Sequence, residues 1–226
     1  VCSFGDASVN HSTSQGALNT AGYTVHQGLP LPLLFVCEDN GWGISVPSPA
    51  RWVEATLSQR PGIRYAAADG CDLAEAFDVA TELAEYVRLE RRPAVLHLRT
   101  VRFMGHAGTD VESGYRNAAS IRADQARDPL LGTARLLVEA GTYSPDQLVE
   151  RYLAGRREVR SLAIDLAGRR TLETAAEVMA PLSPRRPQGV ASRALASAPA
   201  DERRRFFGGT LPEEEGPLTL AESINR

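Results

Sequence analysis

Three side chains that could bind a metal ion or move a proton each stand just after an apolar run of the sequence. Asp6 follows VCSFG, Asn40 follows LLFVCED, and His106 lies in the glycine-punctuated loop FMGHAGTDVESGYR. A carboxylate and an amide oxygen are hard ligands that suit Mg²⁺ or Ca²⁺, and a histidine can act as a general acid or base. Taken one at a time, all three also fit ordinary turn, cap or surface positions. Their placement relative to one another therefore decides between the two interpretations.

The elements around Asp6 and Asn40 predict that the two side chains meet. Residues 1–4 and 33–37 are apolar runs typical of buried strands, and residues 13–26 carry apolar side chains at helical intervals. Two parallel strands joined by a helix end at the same edge of the sheet, where α/β proteins bind ligands. The start of the helix points at that edge too, and helix N-termini attract phosphate. The stretch therefore predicts a metal–phosphate site.

The remainder of the chain extends this pattern and then changes character. The predicted strands cover residues 63–68 and 94–102, and the predicted helices cover residues 73–91, 118–126, 130–140, 144–166 and 218–224. Together they predict an α/β fold with a mostly parallel sheet, helices on both faces and a helical C-terminal extension. The abrupt first strand predicts that a natural N-terminal part is missing. We expect a first domain over residues 1–170, a linker or extended arm over residues 171–216, and the start of another domain over residues 217–226.

The composition is that of a globular protein. Of 226 residues, 43% are hydrophobic and 23% are charged, and the formal net charge is −3. That charge gives the chain as a whole no electrostatic footprint for nucleic acid, and no apolar run approaches the length of a membrane span. The three cysteines form neither a disulfide framework nor a metal cluster, and we expect Cys2 and Cys37 to be buried within strands. A reducing cytoplasm is the expected location.

All 25 basic residues are arginine, and this excludes several chemistries. A chain without lysine has no Schiff-base lysine, no P-loop lysine and no kinase-type catalytic lysine. Residues 1–50 contain no arginine either. A phosphate bound there would need a metal ion, backbone N–H groups or groups from elsewhere in the chain.

Several motifs resemble one family of thiamine diphosphate enzymes. Gly5-Asp6, a helix, an apolar strand and EDN are similar to the thiamine diphosphate fold motif, which runs from a Gly-Asp-Gly to a closing Asn. GALNTA, LPLLFVCEDNGWGISVP, the AADGCD–helix–PAVLHLRT block and FMGHAGTDVESGYR resemble the alpha subunit of 2-oxo acid dehydrogenases, the decarboxylating first component of such complexes. The similarity covers roughly residues 1–150. The terminal PLTLAESINR resembles the opening of the matching beta subunit, which implies a fused alpha–beta chain.

The resemblance implies the parts of the site. It makes Asp6 and Asn40 side-chain ligands of Mg²⁺, and Trp42 a ligand of the same ion through its backbone carbonyl. It places His106 near the diphosphate, where the residue would assist proton transfer or stabilise charge. The implied cofactors are thiamine diphosphate and Mg²⁺. The implied cofactor-binding residues are Gly5, Asp6, Ala7, Ser8, Asn40, Trp42 and His106.

Two residues depart from the family pattern. Ala7 stands at the third position of the Gly-Asp-Gly, and Asp39 stands where the penultimate Asn is usual. Thirty-three residues separate Asp6 from Asn40, a few more than in close relatives. The metal ligands are retained. The backbone at Ala7, which with Ser8 is implied to offer N–H groups to the phosphate, must take a conformation that alanine tolerates.

The implied function is oxidative decarboxylation of a 2-oxo acid with acyl transfer to lipoamide. The implied partners are a beta-subunit-like pyrimidine-binding domain, which carries the carboxylate that activates thiamine, and a lipoyl-bearing acyltransferase component. We expect a homodimer or larger assembly, no nucleic-acid or membrane partner, and no activity from this piece alone. Two alternatives stay open: a transketolase-like thiamine diphosphate carboligase, and a non-catalytic domain that kept the fold. The HAGTDVESGYR loop argues against the first, and the retained Asp6, Asn40 and His106 argue against the second.

Overall fold

The structure is a computed structural model that describes residues 1–182, 186–196, 198–214 and 216–224. It consists of two compact units, residues 1–158 and the described residues from Val159 onward. The first unit contains the parallel sheet and every residue with a predicted site role, and the second is helical.

Four parallel strands form the sheet of the first unit. In chain order, the strands of the described residues are β1 (Cys2–Gly5), β2 (Leu34–Asp39), β3 (Trp42–Gly43), β4 (Val46–Pro47), β5 (Arg64–Asp69) and β6 (Ala94–Arg99). The sheet has the order β1-β2-β6-β5, whereas β3 and β4 form a small antiparallel hairpin. Gly5 lies opposite Glu38, and Asp39 lies opposite Arg99. The carboxyl ends of β1, β2 and β6 therefore share one edge, as predicted.

Helices cover both faces of the sheet, which confirms the predicted α/β architecture. The helices up to residue 167 are α1 (Ser12–His26), α2 (Trp52–Ser58), α3 (Leu73–Leu89), α4 (Ala118–Ala126), α5 (Pro129–Glu139) and α6 (Pro145–Ala167). Leu18 of α1 and Leu57 of α2 join the core that contains Phe35 of β2, and Leu83 of α3 packs with Leu96 of β6 on the opposite face. Burying each such leucine contributes roughly 1.5–3 kcal/mol relative to leaving it exposed.

The predicted element boundaries agree with the structure within a few residues, with two exceptions. Helix α2 has no counterpart in the sequence-based prediction, because Pro47 and Pro49 indicate a break and a seven-residue helix is too short to show a clear period. Strand β6 ends at Arg99 instead of continuing to residue 102. Arg99 pairs with the last residue of β2 and the last residue of β5, so the chain beyond it has no strand to pair with.

The prediction for the cysteines is right for Cys37 and wrong for Cys2. Cys37 is fully buried on a central strand, and this burial raises the pKa of its thiol to about 12. The thiol therefore stays protonated and unreactive. Cys2 is exposed, because β1 is an edge strand with a neighbour on one side only.

The stretch over residues 171–216, predicted as a linker or extended arm, contains short helices. The described ones are α7 (Ala175–Met179), α8 (Pro187–Leu195) and α9 (Ala200–Phe206), and α10 (Leu220–Ile224) follows where a further helix is predicted. A capping box at Thr174 and Glu177 begins α7. The proposed domain limits at residues 170 and 216 stay a prediction.

Candidate active-site cleft

The shared carboxyl edge of the sheet borders a cleft of about 830 Å³. Its walls come from the end of β1, the 3₁₀ turn Ala7–Asn10, the start of α1, the hairpin after β2 and the loop after β6. Every residue with a predicted site role lines it: Gly5, Asp6, Ala7, Ser8, Asn40, Trp42 and His106. The parallel sheet thus brings together three segments that lie far apart in the chain.

Asp6 carries a buried carboxylate at the edge of the cleft. The residue is 3% exposed, and its Oδ2 accepts a hydrogen bond of 2.5 Å from the Ser48 hydroxyl. Burial raises the pKa of Asp6, and the charge of Asp39 adds to the rise, although the Ser48 hydroxyl opposes it. Within the described residues, no arginine or histidine forms an ion pair with this carboxylate. A cation would offset the cost of this desolvated charge.

Two successive hydrogen bonds from side chain to backbone shape the turn after β2. Asp39 Oδ1 accepts the Gly41 N–H at 2.9 Å, and Asn40 Oδ1 accepts the Trp42 N–H at 3.1 Å. Gly41 has a φ of 75°, in the left-handed region that favours glycine. An amide oxygen has two lone pairs, so Asn40 keeps one acceptor position for a further ligand.

Backbone strain occurs at the rim of the cleft. Ile44, the first residue of the two-residue turn between β3 and β4, has a φ of 60° and is 57% exposed. For a β-branched residue this conformation costs roughly 1–2 kcal/mol. Strained backbone of this kind is concentrated at functional sites, which is consistent with a ligand-binding role for the cleft.

The loop that carries His106 is held by hydrogen bonds centred on Asp110. Asp110 Oδ2 accepts the His106 backbone N–H at 2.6 Å and the Tyr115 hydroxyl at 2.9 Å. The first of these bonds is the main cause of a lowered pKa of Asp110. A Cβ on Gly105 would collide with the Asp110 carbonyl, so the closure of the loop requires glycine. The backbone of His106 is thereby fixed, while its side chain is exposed on the cleft.

Arg116 fastens the end of this loop to the turn after β2. Its side chain is 1% exposed and forms ion pairs with Glu112 at 2.7 Å and Asp124 at 2.6 Å. Its guanidinium lies 4.9 Å from the centre of the Trp42 ring. The Tyr115 ring also packs on Trp42, with 5.6 Å between the ring centroids. These contacts therefore hold the loop after β6 against the turn after β2.

Replacing Arg116 with glutamine is expected to lower the free energy of unfolding. Loss of one partner of a buried ion pair costs about 3–5 kcal/mol, and here we expect about 2 kcal/mol because both acids keep some access to water. Urea denaturation measures the change, and limited proteolysis of residues 103–116 reports the loosened loop. Arg122→Gln is the matched control, since Arg122 is exposed on α4. Equal stability of the two variants would contradict the assigned role.

Three residues of the site lie outside the predicted set. Arg102 lines the cleft and places a guanidinium there. Residues 1–50, which form most of the cleft wall, contain no arginine. Arg102 Nη2 donates to the Tyr115 hydroxyl at 2.7 Å, and its position after a strand could have indicated it. Ser48 stands between two prolines and carries no sequence signal. His11 lines the cleft and caps α1 by accepting the Thr13 N–H at 3.2 Å.

A short 3₁₀ turn that is absent from the sequence-based prediction lies between Asp6 and the first helix. Ala7–Asn10 form this four-residue turn, and α1 begins at Ser12, one residue before the predicted start at residue 13. The extended conformation of His11 separates the two segments. The φ of Ala7 is not positive, as alanine requires. Gly43 leaves room for the Ala7 methyl group, since a Cβ on Gly43 would lie 3.1 Å from the Cβ of Ala7.

The donor atoms of the cleft suit a hard divalent cation that brings further ligands with it. No three His, Cys, Asp or Glu side chains of the described residues form a cluster that could hold a metal. An ion here would use the Asp6 carboxylate, the Asn40 amide oxygen and the Trp42 carbonyl. Mg²⁺ is commonly bound by one or two carboxylates together with phosphate oxygens and water. The unneutralised Asp6 and this oxygen set fit Mg²⁺, and the assignment stays a prediction.

The fold and the cleft define an α/β protein of the class that binds a ligand at the carboxyl edge of a parallel sheet. The chain belongs to the family described as "Dehydrogenase E1 component", whose model matches residues 1–161. The match includes the whole sheet and every residue of the predicted site. It confirms the family resemblance that the motifs indicate.

Curated relatives agree with this membership. The chain is 26% identical over 161 residues to the pyruvate dehydrogenase E1 component subunit alpha type I, mitochondrial, of Ascaris suum, which covers 69% of the chain and 39% of that protein. It is 30% identical over 131 residues to the 2-oxoisovalerate dehydrogenase subunit alpha 2, mitochondrial, of Arabidopsis thaliana, which covers 56% and 27%. It is 29% identical over 146 residues to the 2-oxoisovalerate dehydrogenase subunit alpha of Bacillus subtilis, which covers 63% and 43%.

The chain spans less than half the length of each of these relatives. Two of them are named as mitochondrial, so the cytoplasmic location stays a prediction. Among the described residues, no helix has the length and apolar character needed to cross a membrane.

Proposed function

We propose that this chain supplies the diphosphate- and Mg²⁺-binding half of the active site of a thiamine diphosphate-dependent 2-oxo acid dehydrogenase. The observation that carries the proposal is the convergence of Asp6, Asn40, Trp42 and His106 on one cleft, within the region that matches the family model. Family membership favours this function over a transketolase-like carboligase. The enzyme would decarboxylate a 2-oxo acid and transfer the acyl group to lipoamide.

Different residues of the cleft would contact the metal ion and the diphosphate. When bound, thiamine diphosphate supplies the nucleophilic carbon and the electron sink that decarboxylation requires. Asp6, Asn40 and the Trp42 carbonyl would hold Mg²⁺ against the diphosphate. Arg102 adds positive charge to the same cleft, and the 3₁₀ turn at Ala7 carries backbone N–H groups beside it. A bound cation would neutralise the buried charge of Asp6.

His106 would serve in proton transfer, since it lines the same cleft as the proposed metal ligands. Its backbone is fixed by Asp110, and its side chain faces the cleft without a hydrogen-bond partner within the described residues. An imidazole so placed would hold or move a proton at the reacting carbonyl during decarboxylation and acyl transfer. A beta-subunit-like domain would add the carboxylate that activates thiamine, and a lipoyl-bearing acyltransferase component would accept the acyl group.

The test uses the complete enzyme, with this chain in its full assembly. Mg²⁺, thiamine diphosphate and a panel of 2-oxo acids are added, and CO₂ release and acylation of lipoamide are measured. We expect activity with at least one 2-oxo acid that depends on both cofactors. Transfer between sugar phosphates would instead support the carboligase alternative. Cofactor binding without either activity would support a non-catalytic domain.

A further inference from the structure

A chain of hydrogen bonds crosses three neighbouring strands beneath the turn after β2. The Tyr65 hydroxyl on β5 lies 2.8 Å from His97 Nδ1 on β6, and His97 Nε2 lies 2.9 Å from Asp39 Oδ2 at the end of β2. His97 is 2% exposed, so its ring cannot exchange these partners for water. The proposed function assigns no role to Tyr65, His97 or Asp39.

The chemistry of these groups sets the direction of each hydrogen bond. A carboxylate only accepts hydrogen bonds, and Asp39 Oδ1 already accepts the Gly41 N–H at 2.9 Å. His97 Nε2 must therefore carry a hydrogen. Burial raises the pKa of Tyr65 to about 12, so its hydroxyl keeps the proton that it can donate to His97 Nδ1. Both ring nitrogens of His97 then have a hydrogen-bond partner.

Asp39 links the hydrogen bonds of His97 to the turn after β2. While Oδ2 accepts from His97, Oδ1 accepts the Gly41 N–H at 2.9 Å. The two bonds leave the carboxylate little freedom to rotate. Gly41 in its left-handed conformation then sets the direction of the chain between Asn40 and Trp42, whose own hydrogen bond closes the turn.

We propose that His97 is a positioning residue for the metal-binding turn: it locks the Asp39 carboxylate, and Asp39 in turn holds Asn40 and the Trp42 carbonyl in the orientation that Mg²⁺ needs. The proposal rests on the proposed function, since it assumes the metal ligands named there. Groups that orient metal ligands from behind typically change metal affinity by 10–100-fold when removed. Tyr65 has a smaller part, because it contacts only the far nitrogen of the ring.

The experiment measures metal affinity instead of turnover. Mn²⁺ serves as the probe, and its binding to the complete enzyme with thiamine diphosphate present is followed by electron paramagnetic resonance. His97→Leu removes the donor to Asp39, and we expect a 10–100-fold loss of Mn²⁺ affinity. His97→Gln keeps an N–H donor, and we expect it to restore most of the affinity. Tyr65→Phe should cost less than His97→Leu, and His26→Leu at the exposed end of α1 should change nothing.

A second pair of variants covers the case in which His97→Leu does not fold. Asp39 is only half-buried, so Asp39→Ala is expected to fold and to lose 10–100-fold in affinity, while Asp39→Asn keeps an acceptor for the Gly41 N–H and should lose less. Wild-type affinity in Asp39→Ala would overturn the inference. So would equal affinities of folded His97→Leu and His97→Gln, which would reduce His97 to a packing residue.

The failure of the inference can be distinguished from the failure of the proposed function. Loss of binding in Asp6→Ala together with unchanged binding in folded His97→Leu overturns only the role of His97. Absence of Mn²⁺ binding that depends on thiamine diphosphate in the wild-type enzyme overturns the proposed function, and the inference with it.

Discussion

Replacing Asp6 with alanine is expected to weaken binding of thiamine diphosphate with Mg²⁺ by roughly 1,000-fold, about 4.1 kcal/mol. Asp6 is the one carboxylate in the proposed ligand set, and no second acidic side chain lines the cleft among the residues that the structure describes. The loss should be larger than that from any residue that only orients a ligand. Isothermal titration calorimetry on the complete enzyme, with saturating Mg²⁺, measures the affinity.

The control separates loss of a ligand from loss of the fold. Asp78→Ala removes an exposed carboxylate from α3, outside the cleft, and should bind the cofactor as the wild type does. Without cofactor, Asp6→Asn should be at least as stable as the wild type, because the buried charge is unfavourable when no cation accompanies it. Cofactor affinity in Asp6→Ala equal to that of Asp78→Ala would remove Asp6 from the metal site.

Replacing His106 with alanine is expected to lower kcat by roughly 10²–10⁴-fold, the usual contribution of a general acid or base. Cofactor affinity should change little. The backbone N–H that bonds to Asp110 remains in the variant, and the exposed imidazole makes no hydrogen bond within the described residues. The loop therefore keeps its shape while the proton-transfer group is lost. Steady-state kinetics with a 2-oxo acid, together with a cofactor titration, measure the two effects separately.

The relation between kcat and KM decides how this result is interpreted. A fall in kcat at unchanged cofactor affinity assigns His106 to the chemical steps, whereas a rise in KM alone would assign it to substrate binding. His26→Ala is the matched control, since His26 is exposed at the end of α1 and lies outside the cleft. Full activity of His106→Ala would exclude the residue from the mechanism.

The parallel sheet and the main residues of the cleft could be predicted from local patterns. An apolar run buried on both faces differs from an amphipathic helix in its period, and a polar residue after such a run marks the carboxyl end of a strand. Because parallel strands place those ends at one edge, Asp6, Asn40 and His106 could be expected together without knowing the strand order. The order β1-β2-β6-β5 was not needed for that conclusion.

The contacts that hold these residues in place could not be predicted in the same way. Ser48 donates to Asp6 from 42 positions away, and His97 meets Asp39 from 58 positions away. A serine between two prolines and a histidine within a strand have no periodic signature. The 3₁₀ turn Ala7–Asn10 also cannot be predicted locally, because its separation from α1 depends on the conformation of a single residue, His11.

The amino-acid pattern alone is sufficient for the α/β class, the shared edge of Asp6, Asn40 and His106, and the family resemblance, because each depends on side-chain type and spacing within short segments. Packing decides the rest. It buries the Asp6 carboxylate, places Arg102 at a cleft to which residues 1–50 contribute no arginine, and holds Asp39 through its hydrogen bond with His97. These features need distant segments at hydrogen-bonding distance, and only the folded sheet with both faces covered sets such distances.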